Sequence, residues 1–170
     1  MTLPARTTTR DYLFPVRVVI DTREQKPYTF ADISADIRDG GGRTVIECET
    51  RTLASGDYSL EGYENEVAIE RKSLADLYGT VGRGHVRFVR ELQRLNEMVF
   101  AAVVVEAELS EILAGYHRSQ LSPKVVYRSA ISWMIKYPRV HWWAVPGREF
   151  GELTTFRLLE KYWKEKEKKK

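Results

Sequence analysis

The sequence predicts an α/β domain in which helices cover both faces of a mixed central β-sheet. Up to Lys72 the chain consists mainly of short β-branched segments, and from Ser73 onwards segments of helical period alternate with strands. The segment "VFAAVVVEA" (99–107) is too apolar for a strand with one face in water. We therefore expect it to lie in the interior of a covered sheet.

The first half of the chain is predicted as strands separated by turns. "VRVVID" (16–21) has the composition of a buried strand and "TREQKPYTF" (22–30) that of a loop. A short helix is predicted over 33–38, before a turn at "DGGGR" and a strand in "TVIECETRTL" (44–53). "YSLEGYENEVAIERK" (58–72) reads as a β-hairpin whose second strand starts at about Glu66.

The second half alternates helices with strands. Phe88, Leu92, Leu95 and Val99 recur at helical spacing and predict an amphipathic helix. Further helices are predicted in "SEILAG" (110–115), in a segment with Ser122 as N-cap and Pro123 at its first position, and over about 149–163. "VHWWAVP" (140–146) is the last predicted strand.

A chain of 170 residues with 43% hydrophobic and 30% charged residues is typical of one folded domain. We expect one folded domain over 15–163, preceded by a loose arm or edge segment over 1–14 and followed by a charged, frayed helix end over 164–170. The formal net charge of +3 equals the charge of that tail, which has five lysines and two glutamates. An anionic partner would therefore have to recognise local clusters of charge.

The sequence gives no indication of a membrane span or a disulfide framework. Its longest apolar run, "MVFAAVVV", is much shorter than the roughly 18 residues that a spanning helix needs, and no signal peptide pattern is present. The single cysteine, Cys48, is expected to be a small buried hydrophobe. These features predict a cytosolic protein without a membrane partner.

The alternation of the strand "EVAIERK" places two functional groups on one face. Glu70 and Lys72 point to the same side, and Arg71 points to the other. Asp57 begins the partner strand and Asp21 ends the first strand, at the edge where open α/β sheets build their sites. Taken alone, a Glu-x-Lys pair is most often a cross-strand surface pair. Together with further carboxylates it suits Mg²⁺ or Mn²⁺ and the hydrolysis of phosphodiesters, with Lys72 orienting water or stabilising negative charge.

A longer pattern resembles the nuclease domain of the XPF-type (ERCC4-domain) structure-specific endonucleases. "IDTRE", "GDYSL", "IERKSLADL" and "GRGHVRFVREL" together match that family's Asp-x-Arg-Glu and its Gly-Asp, Glu-Arg-Lys, three residues, Asp signature. The match covers residues 16 to 107 best. The resemblance implies a restriction-endonuclease-like fold and a metal-dependent DNA endonuclease that acts in repair or recombination on branched or flapped DNA.

The resemblance also implies roles for individual residues. Asp21, Asp57 and Glu70 would lie at a Mg²⁺ or Mn²⁺ ion and Lys72 would be catalytic, while the site would be supported by Arg23, Glu24, Arg71 and Asp76. From its position on the opposite face, we expect Arg71 to make a structural ion pair, with Asp76 as the suggested partner. Glu24 follows the strand by three residues and is equally compatible with a solvated loop position.

A basic stripe on the helix after the motif is the candidate DNA-binding surface. At 100° per residue one face carries Arg83, Arg87, Arg90 and Arg94, opposite the apolar residues. A solvated face that pairs with Glu91 and Glu97 is an equally good interpretation. His85 is expected to contact phosphate or to cap the helix, because a site for a hard cation does not favour imidazole.

The sequence says less about partners and substrate than about the fold and the site residues. The family commonly dimerises through this domain, so a homodimer or a heteromeric partner is expected, with "HWWAV" and the C-terminal helices as the candidate interface. The alternatives are a non-catalytic DNA-binding or scaffolding module of the same fold, or a restriction-like nuclease with another nucleic-acid substrate. In a bacterium, archaeon or phage such a protein would be associated with the nucleoid.

Overall fold

The computed structural model describes residues 10–36 and 41–169, and a six-stranded mixed sheet forms its centre. The strands lie in the order β4-β2-β5-β6-β7-β8, and β1 pairs with β3 in a separate two-stranded sheet. The strands are β1 (Arg10–Leu13), β2 (Val18–Asp21), β3 (Gly41–Val45), β4 (Cys48–Arg51), β5 (Tyr58–Leu60), β6 (Val67–Lys72), β7 (Phe100–Val105) and β8 (Val140–Ala144). The helices are α1 (Leu74–Val81), α2 (His85–Leu95), α3 (Leu109–Ala114), α4 (Pro123–Lys136) and α5 (Gly147–Glu167).

Helices cover both faces of the sheet, which confirms the predicted fold class. One face packs on α1, α2 and α4 through residues such as Leu77, Leu92 and Val126. The opposite face packs on α5, through Phe156 and Leu159. Strand β7 lies between β6 and β8 and sends its side chains alternately into the two cores. Its uninterrupted apolar sequence follows from this burial on both sides.

The directions of the strands show that the predicted site residues lie together at one edge of the sheet. Strand β5 is antiparallel to both β2 and β6, so β2 and β6 run in the same direction. Their carboxyl ends, at Asp21 and Lys72, therefore lie on the same edge, where β5 begins just after Asp57. The hairpin predicted over 58–72 is confirmed by the pairing of Tyr58 with Ile69.

The region between β2 and β5 differs from the prediction. Residues 33–36 contain no helix, and the rest of the helix predicted over 33–38 lies outside the described residues. The single strand predicted in 44–53 is two strands, because the chain leaves the pairing of β3 with β1 and then joins β2 as β4. Strands β3 and β4 each pair with a strand that is distant in sequence, so local composition could not show where one ends and the other begins.

Both ends of the described chain are more ordered than expected. Residues 10–13 form strand β1 and Phe14 is buried, so this part of the predicted arm is an edge segment. Residues 1–9 lie outside the described residues. At the other end α5 extends to Glu167, and Lys164 and Lys166 form ion pairs with Glu160 and Glu66. These pairs correct the expectation that the tail from residue 164 is simply solvated.

Two residues predicted to be buried are exposed. Cys48 is exposed on the edge strand β4, so it does not act as a core hydrophobe. Val99 is 64% exposed because α2 ends at Leu95 and a turn precedes β7. Within the described residues no helix is long and apolar enough to cross a membrane.

Candidate active site

A cleft of about 860 Å³ opens at the carboxyl ends of β2 and β6, against α1 and α2. It collects all eight catalytic and supporting residues that the sequence predicted, and two arginines of the predicted DNA-binding stripe. These are Asp21, Arg23, Glu24, Asp57, Glu70, Arg71, Lys72, Asp76, Arg87 and Arg94. Three predicted DNA-binding residues, Arg83, His85 and Arg90, do not line it.

Glu70 and Lys72 form a buried ion pair on the α2 side of the sheet. Lys72 Nζ lies 3.0 Å from Glu70 Oε1, and it also lies 4.2 Å from the centre of the Phe88 ring. Burial raises the pKa of Glu70, and the neighbouring charge of Lys72 opposes that shift. The pair therefore holds an ammonium group and a carboxylate side by side, with little exposure of either side chain to solvent.

Asp57 is the second carboxylate of this pocket. Its Oδ2 accepts the backbone N–H of Arg71 at 2.7 Å, and its own N–H donates to Ile69 at 2.8 Å. Burial and the negative charge of Glu70 raise the pKa of Asp57 to about 8, although the bond from Arg71 lowers it. A buried carboxylate whose ionisation is hindered by a neighbouring carboxylate is a suitable place for a cation.

The donor set of the cleft fits a hard divalent cation. Within the described residues no three acidic, histidine or cysteine side chains are grouped as a complete metal site. Mg²⁺, however, is typically held by one or two carboxylates, together with water and substrate phosphate. Asp57 and Glu70 supply two such carboxylates, and no imidazole or thiol lines the cleft.

Asp21 is buried and its carboxylate is already engaged. It is 2% exposed and accepts hydrogen bonds from Arg23 N at 2.8 Å, Nε at 2.6 Å and Nη2 at 3.0 Å. A fourth bond comes from Leu53 N at 2.7 Å. Burial would raise the pKa of Asp21, but the bonds from Arg23 and Leu53 outweigh it and hold the pKa below its ordinary value. These contacts favour a role in positioning Arg23 and the loop after β4.

Arg71 pairs with two glutamates, and the suggested pair with Asp76 is wrong. Its Nε and Nη2 donate to Glu106 at 2.7 and 2.9 Å, and its Nη1 lies 3.5 Å from Glu24. Glu24 has only 7% of its side chain exposed, so it is not a solvated loop residue. Glu106 was not identified from the sequence, although an acid directly after the most apolar strand, at the edge that carries the site, was a usable signal.

Asp76 stabilises the start of α1. Its Oδ2 accepts the backbone N–H of Ser73 at 3.3 Å and the Ser73 hydroxyl at 2.6 Å, and its own N–H donates to Ser73 Oγ at 3.1 Å. This reciprocal arrangement is a capping box, which satisfies N–H groups that the first turn of a helix leaves free. Asp76 therefore fixes where α1 begins, two residues after Lys72.

Helix α2 brings both charges and an apolar face to the cleft. Phe88, Leu92 and Leu95 are buried as predicted. Arg87 and Arg94 line the cleft, and so does Glu91, which pairs with Arg94 and accepts Gly56 N at 2.8 Å. The predicted ion pair between Glu91 and an arginine of the basic stripe is thus present, with Arg94. Glu91 also holds the turn that precedes Asp57, through its hydrogen bond from Gly56. Outside the cleft, the His85 ring lies 5.7 Å from that of Trp133.

Gly151 of α5 lets this helix pack closely against the side chains of Tyr28 and Glu106. A methyl group at Gly151 would overlap the Tyr28 hydroxyl and lie 3.1 Å from Cγ of Glu106. Because the overlap would push Tyr28 from its bond to Glu106, we expect Gly151→Ala to lower the free energy of unfolding by roughly 1–3 kcal/mol.

The matched control for this prediction is Gly79→Ala. Gly79 lies in α1 with no heavy atom within 4 Å of an added methyl group. This substitution should stabilise the protein by about 0.5–1 kcal/mol. Urea unfolding of both variants measures the difference, and equal effects would contradict the packing argument.

Comparisons with known proteins agree with this architecture. The family model described as ERCC4 domain matches residues 20–155. XPF from Aeropyrum pernix superposes with a TM-score of 0.57 at 18% identity, over 85% of this chain and 62% of that one. The structure of XPF from Aeropyrum pernix in complex with DNA superposes with a TM-score of 0.58 at 18% identity. This match covers 88% of this chain and 66% of that one. The chain thus spans less than two thirds of either, and no curated protein matches. This similarity confirms a restriction-endonuclease-like fold.

Proposed function

The chain belongs to the ERCC4 domain family, and from this premise and the geometry of the cleft we propose a metal-dependent endonuclease that hydrolyses phosphodiester bonds in branched or flapped DNA. The observation that carries the proposal is the buried Glu70–Lys72 pair beside Asp57, in the lining of a cleft that also carries basic residues. An ammonium group next to carboxylates in a buried site is suited to phosphoryl chemistry.

We assign Asp57 and Glu70 as the residues that would hold Mg²⁺ or Mn²⁺. Bound there, the cation would polarise the scissile phosphate and lower the pKa of a water molecule. Asp21, which the sequence suggested as a third ligand, would act through Arg23 and Leu53, since its oxygens accept four hydrogen bonds. Glu24, Arg71 and Asp76 would support the site through the contacts already described.

Lys72 would act directly on the reacting phosphate. Its ammonium group can donate to the attacking water or to an oxygen that gains negative charge during the reaction. The contact with the Phe88 ring and the ion pair with Glu70 restrict where the ammonium group can lie. Such restriction means that little reorganisation would be needed when charge develops.

DNA is supported as the substrate by the charges around the cleft. Arg87 and Arg94 line it, and the exposed Arg83, His85 and Arg90 lie on the same helix or next to its start. Arginines of this kind contact the phosphate backbone, which every DNA structure presents. The related XPF structure from Aeropyrum pernix was obtained in complex with DNA, which supports the same substrate class here. Repair or recombination would be the setting for such an activity.

The test is cleavage of labelled duplex, flap, fork and single-stranded DNA with Mg²⁺ or Mn²⁺. Wild type is compared with Asp57→Ala, Lys72→Ala and the control Lys124→Ala, which changes an exposed residue of α4 outside the cleft. We expect cleavage of branched substrates by wild type and control only. No cleavage of any substrate would instead favour a non-catalytic DNA-binding module, and equal cutting of plain duplex would remove the preference for branches.

We also propose that a second copy of the chain packs on an apolar face of α4. Ile131, Met134 and Ile135 recur at helical spacing and are exposed, Ile135 by 79%. Exposed apolar groups of this size are typical of interaction surfaces.

The oligomeric state tests this proposal. Light scattering after size exclusion should give the mass of a dimer for wild type and that of a monomer for Ile135→Glu. The exposed Lys124→Glu, on the same helix, is the control and should remain dimeric. A wild type that is monomeric at about 100 μM would contradict a stable homodimer.

A further inference from the structure

Glu106 lies at the carboxyl end of β7 and makes contacts that the proposed chemistry does not use. Its side chain is 7% exposed, and it accepts two hydrogen bonds from Arg71 and one from the Tyr28 hydroxyl at 2.8 Å. We propose that Glu106 is a positioning residue, which fixes the end of β6 through Arg71 and thereby sets the affinity of the cleft for a divalent cation. This inference rests on the proposed function, because the cation is the one assigned to Asp57 and Glu70.

The first link from Glu106 to the site is mechanical. The backbone N–H of Glu106 donates to the carbonyl of Lys72 at 2.8 Å, while its carboxylate holds the side chain of Arg71. Two consecutive residues of β6 are therefore tied to the one residue that directly follows β7. The backbone N–H of Arg71 in turn donates to Asp57 at 2.7 Å. A shift of Arg71 would thus move a donor away from a proposed ligand.

The second link is electrostatic. The Arg71 guanidinium has only 8% of its side chain exposed and lies between Glu106 and Glu24. Its Nε and Nη2 donate to Glu106 at 2.7 and 2.9 Å, whereas Glu24 lies 3.5 Å from Nη1, so Glu106 is the closer counter-charge of this guanidinium. Without the charge of Glu106, Arg71 would be balanced mainly by Glu24, which lines the cleft. The cleft would then attract a cation less strongly.

A buried ion pair can also be merely structural, and the chain offers a control for that role. Glu160 of α5 is fully buried and pairs with Arg157 at 2.7 Å and with Lys164 at 2.9 Å. None of these three residues lines the cleft. Neutralising Glu160 should therefore lower stability as neutralising Glu106 does, since each leaves a charged partner without its counter-charge.

The experiment measures Mn²⁺ binding to the folded protein by calorimetry. Glu106→Gln is expected to raise the Kd for Mn²⁺ by about tenfold or more, the usual effect of removing a residue that orients a ligand. Glu160→Gln should leave the Kd within twofold of wild type while lowering the unfolding midpoint in urea. Tyr28→Phe, which removes only the hydroxyl bond to Glu106, serves as a milder variant and should raise the Kd by about twofold to fivefold.

A double-mutant cycle tests whether Glu106 acts through Arg71. Arg71→Met and the double variant Arg71→Met/Glu106→Gln should bind Mn²⁺ with the same Kd within twofold. The reason is that Arg71→Met already removes the side chain through which Glu106 would act. Additive losses would overturn the proposed route. In addition, the backbone N–H of Arg71 should exchange faster with solvent in cation-free Glu106→Gln than in Glu160→Gln, and equal rates would overturn the positioning role.

The outcomes separate this inference from the proposed function. A wild type that binds no Mn²⁺ and cuts no DNA would overturn both. A wild type that binds and cuts, beside a Glu106→Gln variant whose Kd matches that of Glu160→Gln, would overturn the inference alone.

Discussion

Lys72→Met should lower the rate of single-turnover DNA cleavage by at least about 100-fold while Mn²⁺ binding is retained. Methionine keeps most of the length of the side chain and its packing on Phe88, but it cannot donate to developing negative charge. The proposed cation ligands, Asp57 and Glu70, remain in place. Quenched-flow cleavage of a flap substrate, with Mn²⁺ affinity from calorimetry, measures both quantities.

The control for this variant is Lys124→Met, which removes an exposed ammonium group outside the cleft. Its cleavage rate should stay within threefold of wild type. A Lys72→Met rate within tenfold of wild type would remove Lys72 from the chemistry. If Mn²⁺ binding is lost together with cleavage, Lys72 would instead act by holding Glu70 in place.

Asp57→Asn should abolish cleavage and, in the absence of cations, stabilise the protein at neutral to basic pH. The pKa of Asp57 is raised to about 8 by burial and by the charge of Glu70, whereas an unfolded aspartate ionises near 3.8. Between these values the folded protein keeps a proton that the unfolded chain releases. Stability of the wild type therefore falls as the pH rises from about 4 to 8.

Asparagine has about the same shape as aspartate and carries no charge to bury. We expect it to be more stable than wild type by roughly 1–3 kcal/mol at pH 8 in EDTA, and equal to it near pH 4. Saturating Mn²⁺ should reverse the order, because the cation stabilises only the protein that binds it. Urea unfolding at several pH values, with and without Mn²⁺, measures these differences.

The exposed carboxylate of Asp32 provides the control, since Asp32→Asn should follow the wild-type pH dependence. Parallel curves for wild type and Asp57→Asn would show that Asp57 does not keep its proton in the folded protein. Residual cleavage by Asp57→Asn above about 1% of wild type would remove it from the set of proposed ligands.

Much of the fold and of the cleft could be predicted from sequence because the signals were local. Alternation in "EVAIERK" placed Glu70 and Lys72 on one face and Arg71 on the other, as their different partners confirm. Apolar spacing identified the buried face of α2, and composition identified β7 as an interior strand. The family signature supplied the acids that the structure gathers in one cleft.

The remaining features depend on contacts between distant parts of the chain. The separation of β3 from β4 follows from two different partner strands, and no local pattern encodes that choice. The partner of Arg71 is Glu106, 35 residues later, because β7 lies parallel to β6 and brings its last residues beside Arg71. Glu91 reaches Gly56 for a similar reason, since α2 and the turn before β5 both line the cleft.

The sequence by itself identified the candidate residues for the proposed chemistry, because side-chain type and the period of a strand or helix are properties of adjacent residues. Only the tertiary structure decided how those residues are held. It placed Asp57 and Glu70 in one buried pocket, bound the Asp21 carboxylate to Arg23 and Leu53, and paired Arg71 with Glu106. Burial and strand pairing, which set pKa values and hydrogen-bond partners, exist only once distant segments have packed together.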